Sequence, residues 1–187
     1  MSVKQLMTAE DVWELPERAG VMYELIDGEL REVPGAGALH GVIALMLIEL
    51  LHGFVRQQNL GLVLPDGVGY VLRRDPDQLR IPDVSFVSWN DVPEEGVPEG
   101  FWQRPPTLAV EIISPQDRAA EVNDKVREYL AAGTRLVWVL WPQQTSVTVY
   151  DADGQRELGS DDQLDGGDVL PGFRARVGDL FEVRRHR

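Results

Sequence analysis

The sequence predicts a mixed α/β fold, a central sheet flanked by helices with additional antiparallel strands at its margins. Three observations predict it. Segments near residues 39–57 and 118–132 carry apolar residues at helical spacing. Short, apolar, strand-like runs are interleaved with those segments, which puts helices and strands into one core. Turn signals such as Asp27-Gly28 and Asp151-Ala152-Asp153-Gly154 separate neighbouring strand-like runs, the mark of antiparallel pairs. A length of 187 residues, 43% of them hydrophobic, fits a single domain over 1–187 with a sizeable core.

Taken in order, Thr8-Ala9-Glu10-Asp11 starts a helix, with Thr8 as cap and two acids near the positive helix end. Leu15-Pro16 and Gly20 keep that helix short. Residues 22–33 form a hairpin about Asp27-Gly28. Pro34-Gly35-Ala36-Gly37-Ala38 is a flexible joint. From Leu39 to Gln57, Val42, Leu45, Met46, Glu49, Leu50, Gly53 and Phe54 recur near helical spacing, and Ile43, Leu47 and Leu51 widen the apolar surface, so this helix is expected to be well buried. Gly61 to Arg73 reads as strands joined by a tight bend, and Asp75-Pro76-Asp77 as a turn. Leu79 to Ser88 reads as one strand entered through Pro82, an edge or strand-start position. Residues 90–106 form a long loop. Thr107 to Ile113 is the clearest buried strand, Arg118 to Ala132 a helix stopped by Gly133, and 135–141 with 145–150 an antiparallel pair. Short strands at 155–158 and 169–176 and a helical turn over 178–183 complete the chain.

Composition excludes several chemistries. The absence of cysteine removes disulfides, thiol nucleophiles and thiolate metal sites. Three histidines leave little scope for a histidine-rich metal cluster. The longest apolar stretches read as far short of a bilayer-spanning helix, and the first residues lack a signal-peptide core, so the expectation is a cytoplasmic protein with no membrane partner. A net charge of -13 repels nucleic acid from the molecule as a whole and leaves only a local positive groove for it.

The informative residues are acids set among hydrophobes. Period-two alternation puts Asp83, Ser85 and Val87 on one side of their segment, and Glu111 with Ala109 and Ile113 on one side of theirs. A buried carboxylate is costly unless it binds a cation or meets strong donors. If the two strands are neighbours, Asp83 and Glu111 could hold a hard divalent ion, magnesium or manganese. Lys125 lies at the edge of the stripe Val122, Val126, Tyr129 and Leu130, while Asp124, Arg127 and Glu128 point outward. It can reach from its helix toward Glu111 and stabilise charge developing on a phosphate. Against this, Asp83 also reads as a strand-end acid and Lys125 as a surface lysine lying along apolar neighbours.

In order and spacing the chain resembles the Uma2 family (DUF820), restriction-endonuclease-like proteins of the PD-(D/E)xK nuclease superfamily. The resemblance rests on Tyr23-Glu24-Leu25-Ile26-Asp27-Gly28-Glu29-Leu30, His40, Arg80-Ile81-Pro82-Asp83-Val84-Ser85-Phe86-Val87, Val110-Glu111-Ile112-Ile113-Ser114-Pro115, Asp124-Lys125, Tyr129, Gly133 and Trp138-Val139. It implies a restriction-endonuclease-like mixed sheet and Mg2+-dependent hydrolysis of DNA, with Mn2+ as a substitute. Asp83 and Glu111, with the main-chain carbonyl of Ile112, would be the metal ligands. The superfamily lysine falls on Ile113, which cannot serve, and the resemblance implies that Lys125 has taken its place. Glu24 is implied as an additional acidic site residue, and His40 either approaches the site or decorates its helix terminus.

Arg73, Arg74, Arg80, Arg118 and Arg127 outline a positive rim, with Arg174, Arg176, Arg184, Arg185 and Arg187 in the tail. A homodimer suits a protein that cuts two strands. The alternative is a catalytically silent, dimeric structural or interaction protein on the same fold, supported by the charge of -13 and by Trp89, Phe101 and Trp102, read as exposed.

Overall fold

The structure, a computed structural model, describes residues 6–16, 18–33 and 35–182. Thr8 caps α1 (Ala9–Trp13): its hydroxyl accepts the Asp11 N–H while the Asp11 carboxylate accepts the Thr8 N–H. Asp27 and Gly28, both at positive φ, turn β1 (Met22–Ile26) into β2 (Glu29–Val33). After α2 (Ala38–Gln58) come β3 (Gly61–Pro65), β4 (Tyr70–Arg73), β5 (Gln78–Arg80), β6 (Val84–Ser88) and β7 (Leu108–Ile112). The helix α3 (Ala119–Ala132) ends at Gly133, whose φ of 107° is the left-handed cap that glycine adopts without strain. It leads into β8 (Leu136–Trp141), β9 (Ser146–Asp151), β10 (Gly154–Leu158), β11 (Gln163–Gly166), β12 (Leu170–Arg176) and a 3₁₀ turn over Val177–Leu180.

The central sheet has six strands in the order β10-β9-β8-β7-β6-β3. Only β7 and β8 run parallel, joined by α3 as the crossover; the other pairs are antiparallel. One face of this sheet presents Val84, Phe86, Leu108, Val110, Ile112, Trp138 and Leu140 to α2 and to the β11-β12 hairpin. The opposite face presents Ala109, Val137 and Val139 to Val122, Val126 and Tyr129 of α3. A second, four-stranded sheet, β2-β1-β5-β4, closes over its own cluster of Leu25, Val71 and Leu79 with α1. The expected α/β class, with a mixed central sheet, flanking helices and additional antiparallel strands, is the observed one.

Several boundaries differ from expectation. Residues 79–88 are two strands in two sheets, because Pro82 has no N–H to continue a ladder and the chain passes from one sheet to the other there. The strands within 61–73, β3 and β4, also lie in different sheets and do not pair. The short strand β11 was not anticipated, and the end of the turn expected at Val183 lies outside the described residues. Trp102, read as exposed, is buried and stacked on Tyr70.

The helix α2 is corrected most. It buries Ile43, Leu47, Leu51 and Val55, whereas Leu39, Val42, Leu45 and Leu50 face outward, so it is a one-sided helix with apolar residues on both arcs. By length and composition alone it is long and apolar enough to cross a bilayer, contrary to the sequence expectation.

Candidate functional site

Strand parity on β7 turns Glu111 away from α2 and toward α3, beside Ala109. On the adjoining strand Ser85 lies opposite Ala109, and Asp83 stands just before β6 begins. There Asp83 continues the ladder with both its main chain and its side chain. Its N–H donates to the Val110 carbonyl at 3.0 Å, and its Oδ2 accepts the Ile112 N–H at 2.6 Å. His40, in the first turn of α2, sets Nε2 3.1 Å from Asp83 Oδ1, so it approaches the site.

From α3, Lys125 Nζ donates to Glu111 Oε2 at 2.9 Å and lies 3.5 Å from Glu24 Oε1. One turn later on the same face, the Tyr129 hydroxyl donates to Glu111 Oε1 at 2.9 Å. Glu24, on β1, also accepts the Ile81 N–H at 3.2 Å and Arg80 Nη1 at 2.7 Å. Arg80 turns the rest of its guanidinium to Glu128, at 2.6 and 3.0 Å. The result is a line of alternating charge, Glu128, Arg80, Glu24, Lys125 and Glu111, that ties the second sheet to α3 and to the central strand.

Burial sets the electrostatics. Desolvation pushes the Glu111 carboxyl up to about 7; Lys125 opposes the rise, and the charges of Asp83 and Glu24 add to it. Burial works against the Lys125 ammonium, yet Glu111, Glu24 and Asp83 together hold its pKa above the ordinary lysine value, so it stays charged through neutral pH. The Tyr129 hydroxyl, buried beside Glu111, is raised well above the usual tyrosine range and remains a donor. The hydrogen bond to Asp83 raises His40. Desolvation raises Asp66, on the β3–β4 connection, and the fields of Asp83, His40 and Lys125 reach it.

Glu24, Glu111 and Lys125 are therefore in direct contact, and Asp83 joins them through Ile112 and through its field. Among the described residues no group of three or more histidine, aspartate and glutamate side chains stands ready to cage a cation. The donors are two carboxylates beside the Ile112 main chain, and all of them are oxygens. Each Glu111 oxygen accepts one hydrogen bond and keeps further acceptor capacity. That chemistry fits a hard divalent ion that keeps much of its water.

Sequence reasoning missed part of this arrangement. Glu128, assigned to the outward side of α3, is instead covered by the second sheet and bonded to Arg80. Arg80 is a buried clamp and not a rim residue. The expected rim is further reduced, since Arg73 pairs with Asp27, Arg74 with Glu10 and Asp77, Arg127 with Asp124, and Arg176 with Asp161. Arg184, Arg185 and Arg187 lie outside the described residues. Tyr129 could have been found from its spacing, four residues after Lys125 on the packed stripe.

No protein of curated function matches the chain. A crystal structure from Anabaena variabilis ATCC 29413, described as "a putative nuclease belonging to DUF820", has the same fold: the TM-score is 0.80, over 94% of this chain and 97% of that one, at 20% sequence identity. The sequence pattern of the Uma2 family, described as "Putative restriction endonuclease", matches residues 9–178. With nearly its whole length matched in sequence and the fold matched alongside, the chain belongs to the Uma2 family.

Proposed function

We propose that this chain is a metal-dependent endonuclease that hydrolyses DNA phosphodiester bonds with Mg2+, or with Mn2+ in its place. The observation that carries the reading is the half-buried contact of Lys125 Nζ with Glu111 Oε2 at 2.9 Å beside Asp83, which brings together an amine and two acids from three separate segments. Asp83 and Glu111, with the Ile112 carbonyl, would hold the cation. Bound there, the ion supplies polarisation of a phosphate oxygen and makes the attacking water more acidic. Lys125 carries its proton throughout and offsets the negative charge that grows on the phosphate, or orients the water. Glu24, anchored by Arg80, aims that ammonium. Because Glu111 titrates near 7 and a ligand carboxylate must be ionised, activity should rise through neutral pH. DNA as substrate rests on family membership, and a homodimer offering one site to each strand belongs to the same reading.

One observation favours a catalytically silent interaction protein instead: Arg73, Arg74, Arg80 and Arg127, four of the five arginines expected to outline a rim at the site, are paired with acids, in a chain of net charge -13. Both readings meet in one assay, with supercoiled, linear and single-stranded DNA incubated with Mg2+, Mn2+ or EDTA. Metal-dependent nicking that falls at least about a hundredfold in Lys125→Ala, with cation affinity changed far less, is the expected result. Glu111→Ala and Asp83→Ala should lose both turnover and cation binding. No cleavage of any substrate by the wild type, together with no divalent-ion binding by calorimetry, would establish the silent alternative.

A further inference from the structure

Glu111 is held by donors of two different kinds. The Lys125 ammonium reaches Oε2 at 2.9 Å from a flexible aliphatic stem, and its side chain is 24% exposed. The Tyr129 hydroxyl reaches Oε1 at 2.9 Å from a fully buried side chain. The Tyr129 ring packs with Ala109, Val122, Val126, Val137 and Val139 between α3 and the sheet. Its main chain is equally fixed, because the Tyr129 carbonyl accepts the Thr134 N–H at 3.0 Å where α3 stops at Gly133. A phenol on a short side chain enclosed by packing is a rigid donor, and a lysine is not. Phenylalanine would fill the same cluster, so what the hydroxyl adds is the bond to Glu111.

The difference between the two donors matters because the terminal torsion of a glutamate has no sharply preferred value. Its place on β7 brings the Glu111 carboxylate to the site, but hydrogen bonds set the plane of its two oxygens, and a cation ligand needs that plane held. Lys125 divides its protons between Glu111 and Glu24 and, in the reaction proposed above, the phosphate or the attacking water. The Tyr129 hydroxyl has a single proton and gives it to Glu111. Oε1 therefore stays anchored whichever way the ammonium turns.

We infer that Tyr129 is a positioning residue for the cation site, fixing the plane of the Glu111 carboxylate so that the ligand geometry holds while Lys125 serves the phosphate. This rests on the endonuclease reading of the same site. Tyr129→Phe keeps the ring and removes the bond, and Glu111 retains Lys125 as a donor, so the variant folds. Mn2+ titrated calorimetrically into the chain without DNA should bind about tenfold to a hundredfold more weakly to Tyr129→Phe than to the wild type. The stoichiometry of the same titration reports the folded fraction separately from the affinity. Val126→Ala loosens the same cluster and leaves both donors of Glu111 in place, so it should keep the wild-type Mn2+ affinity. With DNA present, saturating Mn2+ should return most of the turnover to Tyr129→Phe and not to Lys125→Ala. Equal Mn2+ affinity in the wild type and Tyr129→Phe overturns the inference and leaves the endonuclease reading standing. So does a Val126→Ala protein weakened to the same degree, or a Tyr129→Phe turnover that stays lost at saturating Mn2+. A wild type that binds no Mn2+ overturns both.

Discussion

Replacing Glu111 with glutamine separates what this residue does for folding from what it does for the site. The folded carboxyl is raised from 4.5 to about 7, chiefly by desolvation. A raised folded pKa means that the native state binds the proton more tightly than the unfolded chain. The resulting stabilisation is fully present below pH 4.5 and is lost as pH rises through about 7. Integrated from pH 5 to pH 8, the loss is about 2.5 kcal/mol for this one group. Glutamine has nearly the same shape, still accepts from Tyr129 or Lys125, and has no proton equilibrium in this range. At pH 5 Glu111→Gln should therefore resemble the wild type. At pH 8 it should be more stable by up to about 2.5 kcal/mol, less whatever the lost attraction to Lys125 removes. Urea unfolding in steps across pH 5–8 reads this directly as a divergence of midpoints with an unchanged slope parameter. Parallel curves for the two proteins, or a glutamine variant that loses stability as pH rises, would falsify the burial argument.

The remaining expectations concern neighbouring groups. Arg80→Met leaves Glu24 and Glu128 facing each other across a buried gap with their shared cation gone, and should cost about 3–5 kcal/mol. Thermal melting at pH 7 should then show a fall of roughly 10 °C, and a fall of a degree or two would mean that water replaces the guanidinium without penalty. His40 is raised above 6.5 by Asp83, so its contribution to stability is present below pH 6.5 and fades as pH climbs through its folded value. In Asp83→Asn an NMR titration of the His40 ring should show its midpoint moving down, because burial then acts without the opposing carboxylate. An unmoved midpoint would place the cause elsewhere.

Local patterns carried much of this structure, and the failures share one cause. Glu111 was legible because a strand buried on both faces makes any acid conspicuous. Lys125 was legible because a helix stripe has a definable edge. Both are statements about one segment read against its own periodicity. Glu128 was misassigned because what covers its side of α3 is Arg80, 48 residues earlier and in a different sheet. No pattern within α3 encodes which outside surface will dock there. Pro82 announced an interruption, but that it marks a passage between two sheets depends on β5 pairing with β1 and β4, again a distant choice. The helix α2 shows the limit of periodicity itself. Both of its arcs are apolar, so spacing defines the faces without deciding which of them meets the sheet, and the stripe singled out from sequence is largely the outward one.

The position of Glu111 bears on why the cluster exists at all. The buried residues on its face of the sheet and on α3 are Ala109, Val122, Val126, Val137 and Val139, a set that would accept a leucine or methionine with no charge to desolvate. Holding a carboxylate there instead requires Lys125 and Tyr129 to bond it and Glu24 to steady Lys125, while Glu24 in turn requires Arg80, and Arg80 requires Glu128. Each partner is buried or half-buried and brings its own desolvation cost, yet the chain of compensation stops short of neutralising Glu111, whose pKa stays near 7. An architecture assembled for stability alone would end that sequence at its first step, with an apolar residue at 111. A site that must keep an ionisable oxygen pair beside Asp83, within reach of a permanently charged amine, has a reason to carry the whole series.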